Sequence, residues 1–383
     1  MIRRFVNLVA ENYRTGVYSL HRLDVSKHLF HQSRADARVL PFLLAEAQDK
    51  SGDEGLPMLD MLKELPPPCV KIQPSSPIQP LSREEPFTNR LHFWGLLSPR
   101  SSEDKFLCMN GRGDTMLCHA DKPSVDPMPH LQAEGVDHIF FSVVRPDADA
   151  QDHGEEEKED LYVIHNLPDR RAACLRVFRK DAAADRWRWE SLPPPPFVGA
   201  PTNVKYSYTV VDGGRTICIS SAIPPGIGTH CFNTVEREWR HAGDWRLPFV
   251  GGAEYVPDLA LWLGFSPYSP SYNLCGTSDL NAMSADHPPK LQYVWQDIVT
   301  PENWAPAGWT KLVSLGSARF CIARAFAIEI RRRGKFDDEW WEFEDEVTIL
   351  TGIEVGRDDD GSLKVWKHKS LRYNSMYSVK RVL

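Results

Sequence analysis

The side chains best equipped for chemistry are thirteen histidines, eight cysteines and a surplus of carboxylates, and their spacing decides whether any of them act together. His21, His28 and His31 follow no metal-site spacing, and the HExxH motif is absent. His119 beside Cys118 and His230 beside Cys231 lie in strand-like runs, where adjacent residues point to opposite faces. No CxxC pair occurs, which argues against a zinc ribbon or a redox motif. Thr216-Ile217-Cys218-Ile219 and Arg319-Phe320-Cys321-Ile322 instead place cysteine inside apolar runs, where a free thiol behaves as a small buried hydrophobe. No GxSxG elbow presents a serine nucleophile, and nothing selects two of the carboxylates as a glycosidase pair. Gly226-Ile227-Gly228 reads as a turn, because no βα unit surrounds it. Arg112-Gly113-Asp114 reads as a hairpin turn rather than an adhesion tripeptide. Ser75-Ser76-Pro77 and Ser98-Pro99-Arg100 are loop sites open to phosphorylation, and Pro-rich turns explain them equally well. The expectation is therefore no catalytic residue, no cofactor and no metal. The best candidate for an interaction surface is Trp340-Trp341, set among Glu342, Glu344, Asp345 and Glu346, since aromatics are enriched at interface hot spots. A buried hairpin anchor is the competing reading of the same pair.

Charge and hydropathy narrow the partners. The net charge of −7 lacks the basic surplus of a nucleic-acid binder. The longest apolar runs are short, and Pro41 interrupts the one from Val39 to Ala47, so no stretch reaches the ~20 residues a membrane span needs. Residues 1–38 are rich in arginine, which fits either a transit peptide or, as read here, a first strand Phe5-Val6-Asn7-Leu8-Val9 with arginines on its wet side. The absence of an Asn-x-Ser/Thr sequon and of a signal peptide favours a reducing interior, cytoplasmic or nuclear.

The elements that would carry these residues are announced by 30 prolines, 24 glycines and 12 tryptophans, a composition of many turns separated by large flat side chains. Leu65-Pro66, Met128-Pro129, Leu192-Pro193 and Leu247-Pro248 recur at intervals of roughly 60 residues, two of them approached by paired tryptophans, Trp187/Trp189 and Trp239/Trp245. Between these marks lie short runs rich in Val, Ile, Phe, Tyr and Trp, bounded by Gly, Asp, Asn and Pro. One unit reads 92–98, 105–110, 114–119 and 124–131; the next 138–145, 160–166, 173–179 and 186–192; a third 206–211, 215–220, 228–233 and 238–242. Asn110-Gly111 and Asp212-Gly213 supply the positive φ of tight hairpins. Further units run from Ala253 to Ile298 and from Lys311 to Tyr373, and strands near 4–10, 16–24 and 70–73 supply a sixth. Repeats of this length with four strands each predict an all-β fold: a single β-propeller domain over residues 1–383, with six blades and tryptophan filling the wedges between them. Residues 31–65 interrupt the pattern with leucines at helical spacing and predict a short helical insertion, 147–160 predict a solvated acidic loop, and Arg331–Glu346 a long hairpin excursion.

Several motifs together resemble a known family. Arg3-Arg4-Phe5-Val6-Asn7-Leu8-Val9, Val17-Tyr18-Ser19-Leu20-His21-Arg22-Leu23-Asp24, Gly243-Asp244-Trp245-Arg246-Leu247-Pro248-Phe249, Ala253-Glu254-Tyr255-Val256-Pro257, Leu315-Gly316-Ser317-Ala318-Arg319-Phe320-Cys321 and His368-Lys369-Ser370 are similar to a grass-expanded plant family catalogued as a domain of unknown function, akin to kelch and F-box-associated propellers. The resemblance implies a kelch-like propeller and a plant source, and brings no activity or site with it. No F-box helix precedes Arg3, which weakens a ubiquitin-ligase adaptor role.

The expected function is a non-catalytic scaffold that contacts protein partners through its loops, with no nucleic-acid or membrane partner. The alternatives are an enzyme, or a small-ligand or glycan binder, with its site at the central channel. A cluster of three or more ionisable residues converging on that channel would mark the enzyme.

Overall fold

A computed structural model describes residues 2–12, 14–40, 42–43, 59–73, 91–100, 102–110, 112–131, 138–145, 159–165, 175–181, 186–196, 206–221, 226–268, 272–283, 287–333, 339–374 and 377–383. The chain opens with β1 (Phe5–Asn12) and β2 (Tyr18–Asp24), followed by a single helical turn α1 (Val25–His28). Three two-residue strands follow, β3 (Arg38–Val39), β4 (Phe42–Leu43) and β5 (Asp60–Met61), and then β6 (Pro68–Ile72). The second unit is β7 (Leu91–Leu96), β8 (Lys105–Asn110), β9 (Thr115–His119) and β10 (Ser124–Met128). The third is β11 (His138–Val144), β12 (Glu159–His165), β13 (Leu175–Asp181) and β14 (Arg186–Leu192). The fourth is β15 (Tyr206–Val211), β16 (Thr216–Ser221), β17 (Thr229–Asn233) and β18 (Glu238–Gly243), and the fifth β19 (Val250–Val256), β20 (Leu261–Phe265), β21 (Leu274–Thr277) and β22 (Tyr293–Trp295). The sixth has the long strands β23 (Trp304–Gly316), β24 (Arg319–Arg333), β25 (Glu339–Arg357) and β26 (Leu363–Tyr373), and β27 (Tyr377–Val382) ends the chain.

Within each unit the strands pair antiparallel in chain order, and β15 and β19 also pair in parallel across two units, which marks the first strand of each as the inner one. The first unit is completed from the far end of the chain: β27 pairs with β1 in the order β27-β1-β2-β6, and Asn7 and Leu383 exchange backbone hydrogen bonds of 3.0 and 2.9 Å. The core is divided accordingly. Separate apolar layers lie between the first and second units (Val9, Leu20, Phe106), second and third (Leu107, Val163, Phe178), third and fourth (Val177, Ile219), fourth and fifth (Cys218, Trp262), fifth and sixth (Leu263, Ile322), and sixth and first (Leu8, Val313, Val379). Each sheet therefore buries both faces, which is why β16, Thr216–Ser221, is buried at every position instead of alternating. Sheets packed face to face in succession, the last against the first, form a β-propeller.

The tryptophans do fill wedges. Trp189 on β14 packs tilted against Phe178 at 4.7 Å, and its indole Nε1 donates to the Pro129 carbonyl of the preceding unit at 2.9 Å. Trp239 on β18 does the same with Phe232 at 5.1 Å and the Pro193 carbonyl at 2.9 Å. Two of the four apolar-Pro marks, Met128-Pro129 and Leu192-Pro193, are thus acceptors for the next unit's tryptophan.

Two segments of the expected pattern are seen in part. The described part of 31–65 holds a 3₁₀ turn at Arg34–Asp36 and short strands: β3 and β5 pair with β26, and β4 pairs with β22. These outer strands offer unpaired backbone groups, and an extended strap satisfies them better than a helix could. Leu62 and Leu65 pack onto the seam between the sixth and first units; residues 44–58 lie outside the described residues. The acidic loop expected at 147–160 ends too late. Glu159 and Asp160 belong to β12 and are buried, with Asp160 paired to Arg179 at 2.7 Å and to Arg145 at 3.5 Å. Burial pushes the Asp160 carboxyl upward, and the two guanidiniums oppose that shift. The remainder of that loop, 147–158, lies outside the described residues.

The Arg331–Glu346 excursion continues the ladder of β24 and β25 past one bulge to Arg333 opposite Glu339. Arg112-Gly113-Asp114 is a turn: Asn110 Oδ1 accepts from the backbone N–H groups of Arg112 and Asp114, both at 3.0 Å, and Gly113 takes φ +91°. No helix among the described residues is long and apolar enough to cross a membrane.

Candidate functional site

Antiparallel order places the second-to-third turn of each unit and the crossover to the next unit at the same end of the sheets. The β24–β25 hairpin and the β26–β27 crossover therefore share one rim. A concavity of about 220 Å³ lies there, lined by Phe343, Asp345, Glu346 and Thr348 of β25, Tyr373 of β26, and Tyr377, Ser378 and Val379 of β27. Its walls come from both sides of the closing seam, β25 and β26 of the sixth unit and β27, which completes the first.

A bulge shapes it. Ile328 pairs with Asp345 and Glu329 with Phe343, which leaves Glu344 without an opposite residue. The extra residue reverses the alternation, so Phe343 joins the face that carries Glu346 and Thr348. Phe343 is 62% exposed and Tyr377 37%, whereas Tyr373 beneath them is buried. The polar groups of the floor are held in place: Ser378 Oγ donates to Glu346 Oε1 at 3.0 Å, and Asn374 Nδ2 donates to Asp345 Oδ2 at 2.8 Å. Beyond Ser378, Lys380 pairs with the buried Glu11 at 3.7 Å. Two exposed rings over anchored carboxylates form a surface able to take an apolar or cationic side chain.

The expected pair Trp340-Trp341 lies a few residues earlier on the same strand, its backbone opposite Arg332 and Arg331; the side chains are outside the described residues. The structure thus brings forward Phe343 and Tyr377, which sequence reasoning missed. The aromatic-acidic run was visible, but the bulge at Glu344 and the return of β27 were not.

Ionisable groups also gather at the opposite end of the inner strands. Arg3 is buried, its backbone N–H bonds the Leu315 carbonyl of the sixth unit at 2.8 Å, and its Nε and Nη2 donate to the Pro99 carbonyl of the second at 3.2 and 3.1 Å. Burial lowers its guanidinium pKa, and the nearby carboxylates Glu254, Glu103 and Glu159 raise it. Glu103 accepts the backbone N–H groups of Arg4 and Phe5 at 2.9 and 3.0 Å. Glu159 accepts from the Arg100 N–H at 3.0 Å and the Ser142 hydroxyl at 2.6 Å. Those two carboxylates hold main chain and a hydroxyl, and with Arg3 they clasp neighbouring units together. Among the described residues, no group of three or more His, Cys, Asp or Glu side chains is arranged to hold a metal ion.

Comparison with known proteins gives one family and distant structural likenesses. A family model described as a protein of unknown function (DUF1668) matches residues 3–373. No curated protein matches the chain. Among solved structures, the Dos1 propeller is 11% identical over 95% of this chain and 92% of that one, with a TM-score of 0.35. Kuenenia stuttgartiensis hydrazine synthase is 10% identical over 73% and 80%, with a TM-score of 0.36. TolB from Acinetobacter baumannii is 9% identical over 71% and 80%, with a TM-score of 0.23.

Proposed function

The chain belongs to the DUF1668 family of proteins of unknown function, and from that premise we propose that it is a six-bladed, kelch-like propeller scaffold that binds a protein partner and performs no catalysis. The observation that supports this reading is the rim concavity at the closing seam, where Phe343 stands 62% exposed beside Tyr377 and above Glu346. An aromatic ring held out at the mouth of a concavity gives up little in solvation when a partner covers it, and such rings dominate binding energy. Of the rim carboxylates, Glu342 is paired with Arg332 of the facing strand, whereas Asp345 and Glu346 line the concavity, so the partner segment presents a lysine or arginine among apolar residues. The setting is an intracellular plant compartment, cytoplasm or nucleus.

The test is selection of displayed peptides on the full-length chain, with Phe343→Ala as the counter-selecting surface. Peptides enriched in Lys or Arg that bind the parent at least tenfold better than the variant, and lose affinity as salt rises, are the expected result. Equal binding to both proteins removes the rim from consideration. Reproducible turnover in a substrate screen overturns the scaffold reading itself.

A further inference from the structure

Cys218 on β16 and Cys231 on β17 stand directly opposite one another in the antiparallel ladder of the fourth unit, with their sulfurs 2.7 Å apart. Both are fully buried in the layer between the fourth and fifth units, as free thiols. Residues directly opposite in an antiparallel pair have Cα atoms about 4.5–5.5 Å apart, inside the ~4.4–6.8 Å that a disulfide spans. We propose that Cys218 and Cys231 form an oxidation site, a thiol pair that closes to a cross-strand disulfide under a peroxide oxidant.

The second unit provides an internal contrast. Cys108 and Cys118 occupy the corresponding second and third strands and are also buried, with sulfurs 3.7 Å apart. Their register differs: Cys108 faces Met116, and Cys118 faces Phe106. They are diagonal neighbours, a geometry with Cα atoms about 7–8 Å apart, beyond what a disulfide bridges without backbone movement. Proximity of sulfur alone does not separate the two pairs, whereas register does.

The chemistry balances with the peroxide as the two-electron acceptor. Cys231 attacks in the proposed step: its contact with Cys218 lowers its pKa and Arg240, opposite on β18, adds to that, both against burial, which raises it as it raises Cys218. The Cys231 thiolate attacks one peroxide oxygen, the O–O bond breaks, and hydroxide leaves to give a sulfenic acid. Cys218 sulfur then attacks the sulfenic sulfur, the S–O bond breaks, and the Cys218 proton departs with the oxygen as water. Two thiols and one hydrogen peroxide become one disulfide and two waters. Because both sulfurs are covered, oxidation proceeds through transient opening of the β16–β17 edge and is slower than for an exposed thiol.

The test treats the folded full-length chain with hydrogen peroxide, quenches it, alkylates the remaining thiols under denaturing conditions, and maps peptides without reductant. The expected product has lost two hydrogens, links the Cys218 and Cys231 peptides, and is released by dithiothreitol, while Cys108 and Cys118 are recovered alkylated. A Cys231→Ser chain treated in the same way returns Cys218 alkylated. Recovery of both Cys218 and Cys231 as alkylated thiols in the parent, a sulfinic acid at Cys231 in place of the link, or a Cys108–Cys118 link in equal yield overturns the proposal.

Discussion

Arg324 and Asp297 form an ion pair sealed inside the seam between the fifth and sixth units, their side chains only 3% and 1% exposed. Arg324 Nη2 donates to Asp297 Oδ1 at 3.1 Å and to the Tyr272 carbonyl at 2.8 Å, while its guanidinium lies 5.0 Å from the Phe265 ring centroid. Asp297 in turn accepts from the Leu274 N–H at 3.2 Å, and Lys367 Nζ donates to its carbonyl at 3.1 Å. The pair ties β24 to the end of β22 and so fixes how two neighbouring sheets meet.

Removing one partner leaves the other charge buried without compensation, which costs about 3–5 kcal/mol. Asp297→Ala is therefore expected to lower the urea midpoint sharply, and Asp297→Leu combined with Arg324→Met to recover most of that loss. Denaturation followed by tryptophan fluorescence reads both. A single variant as stable as the parent contradicts the role assigned to the pair.

Gly352 faces Cys321 across β24 and β25, and a Cβ at that position lies well inside contact distance of the Leu29 carbonyl oxygen. That carbonyl also accepts the Lys369 N–H at 3.1 Å, so the missing side chain lets the start of the strap settle on the sixth unit. Gly352→Ala is expected to destabilise by about 1–3 kcal/mol, as overpacking does, and to raise amide exchange along residues 29–40. Unchanged exchange in that segment places the cost elsewhere.

Trp239→Phe keeps a ring against Phe232 but removes the indole donor to the Pro193 carbonyl. One net hydrogen bond is worth about 1 kcal/mol, and Trp189→Phe is expected to lose a similar amount at Pro129. The two indoles sit in different seams and donate to different carbonyls, so the double variant is expected to lose the sum. Strong non-additivity in thermal or urea unfolding rules out independent seams.

These two tryptophans also show what could be read in advance. Two of the apolar-Pro marks, Met128-Pro129 and Leu192-Pro193, end their units by offering a carbonyl to the next unit's indole, a local signal that occurs twice along the chain. Strand positions in the middle units were legible within a residue or two for the same reason: 206–211 was expected and Tyr206–Val211 is found. The closing strand Tyr377–Val382 carried no such mark, because its partner Phe5–Asn12 lies at the other end of the chain. Phe42–Leu43 pairs instead with Tyr293–Trp295, a partner the leucine spacing around it could not announce. The rim site depends on both hidden features. Tyr377 arrives with the closing strand, and Phe343 reaches its face only through the bulge at Glu344.

Acid sensitivity follows from His21. The Pro66 carbonyl can only accept, so Nδ1, at 2.5 Å, carries the proton, and Nε2 meets the Ser19 hydroxyl at 2.8 Å. A second proton would add a charge in a buried site, and burial accordingly pushes the pKa of His21 down, against the opposing pull of the Pro66 hydrogen bond. Burial acts in the same direction on His230 and His368. In the unfolded chain each histidine binds a proton near pH ~6.5, so between that value and the lower folded one the unfolded state holds more protons. Stability then rises with pH: it is fully present above about 6.5 and is lost as the pH falls toward the folded values. Glu354 acts lower on the scale. Burial raises its pKa, but Arg34 and Arg319 hold it below the ordinary range, so its contribution is lost only as the pH falls below its unfolded value of ~4.5. The urea midpoint is expected to drop between about pH 7 and pH 5, and His21→Gln to flatten that drop even if it lowers the midpoint at neutral pH. A midpoint constant across the interval, or a slope unchanged in the variant, removes His21 as a source of the effect.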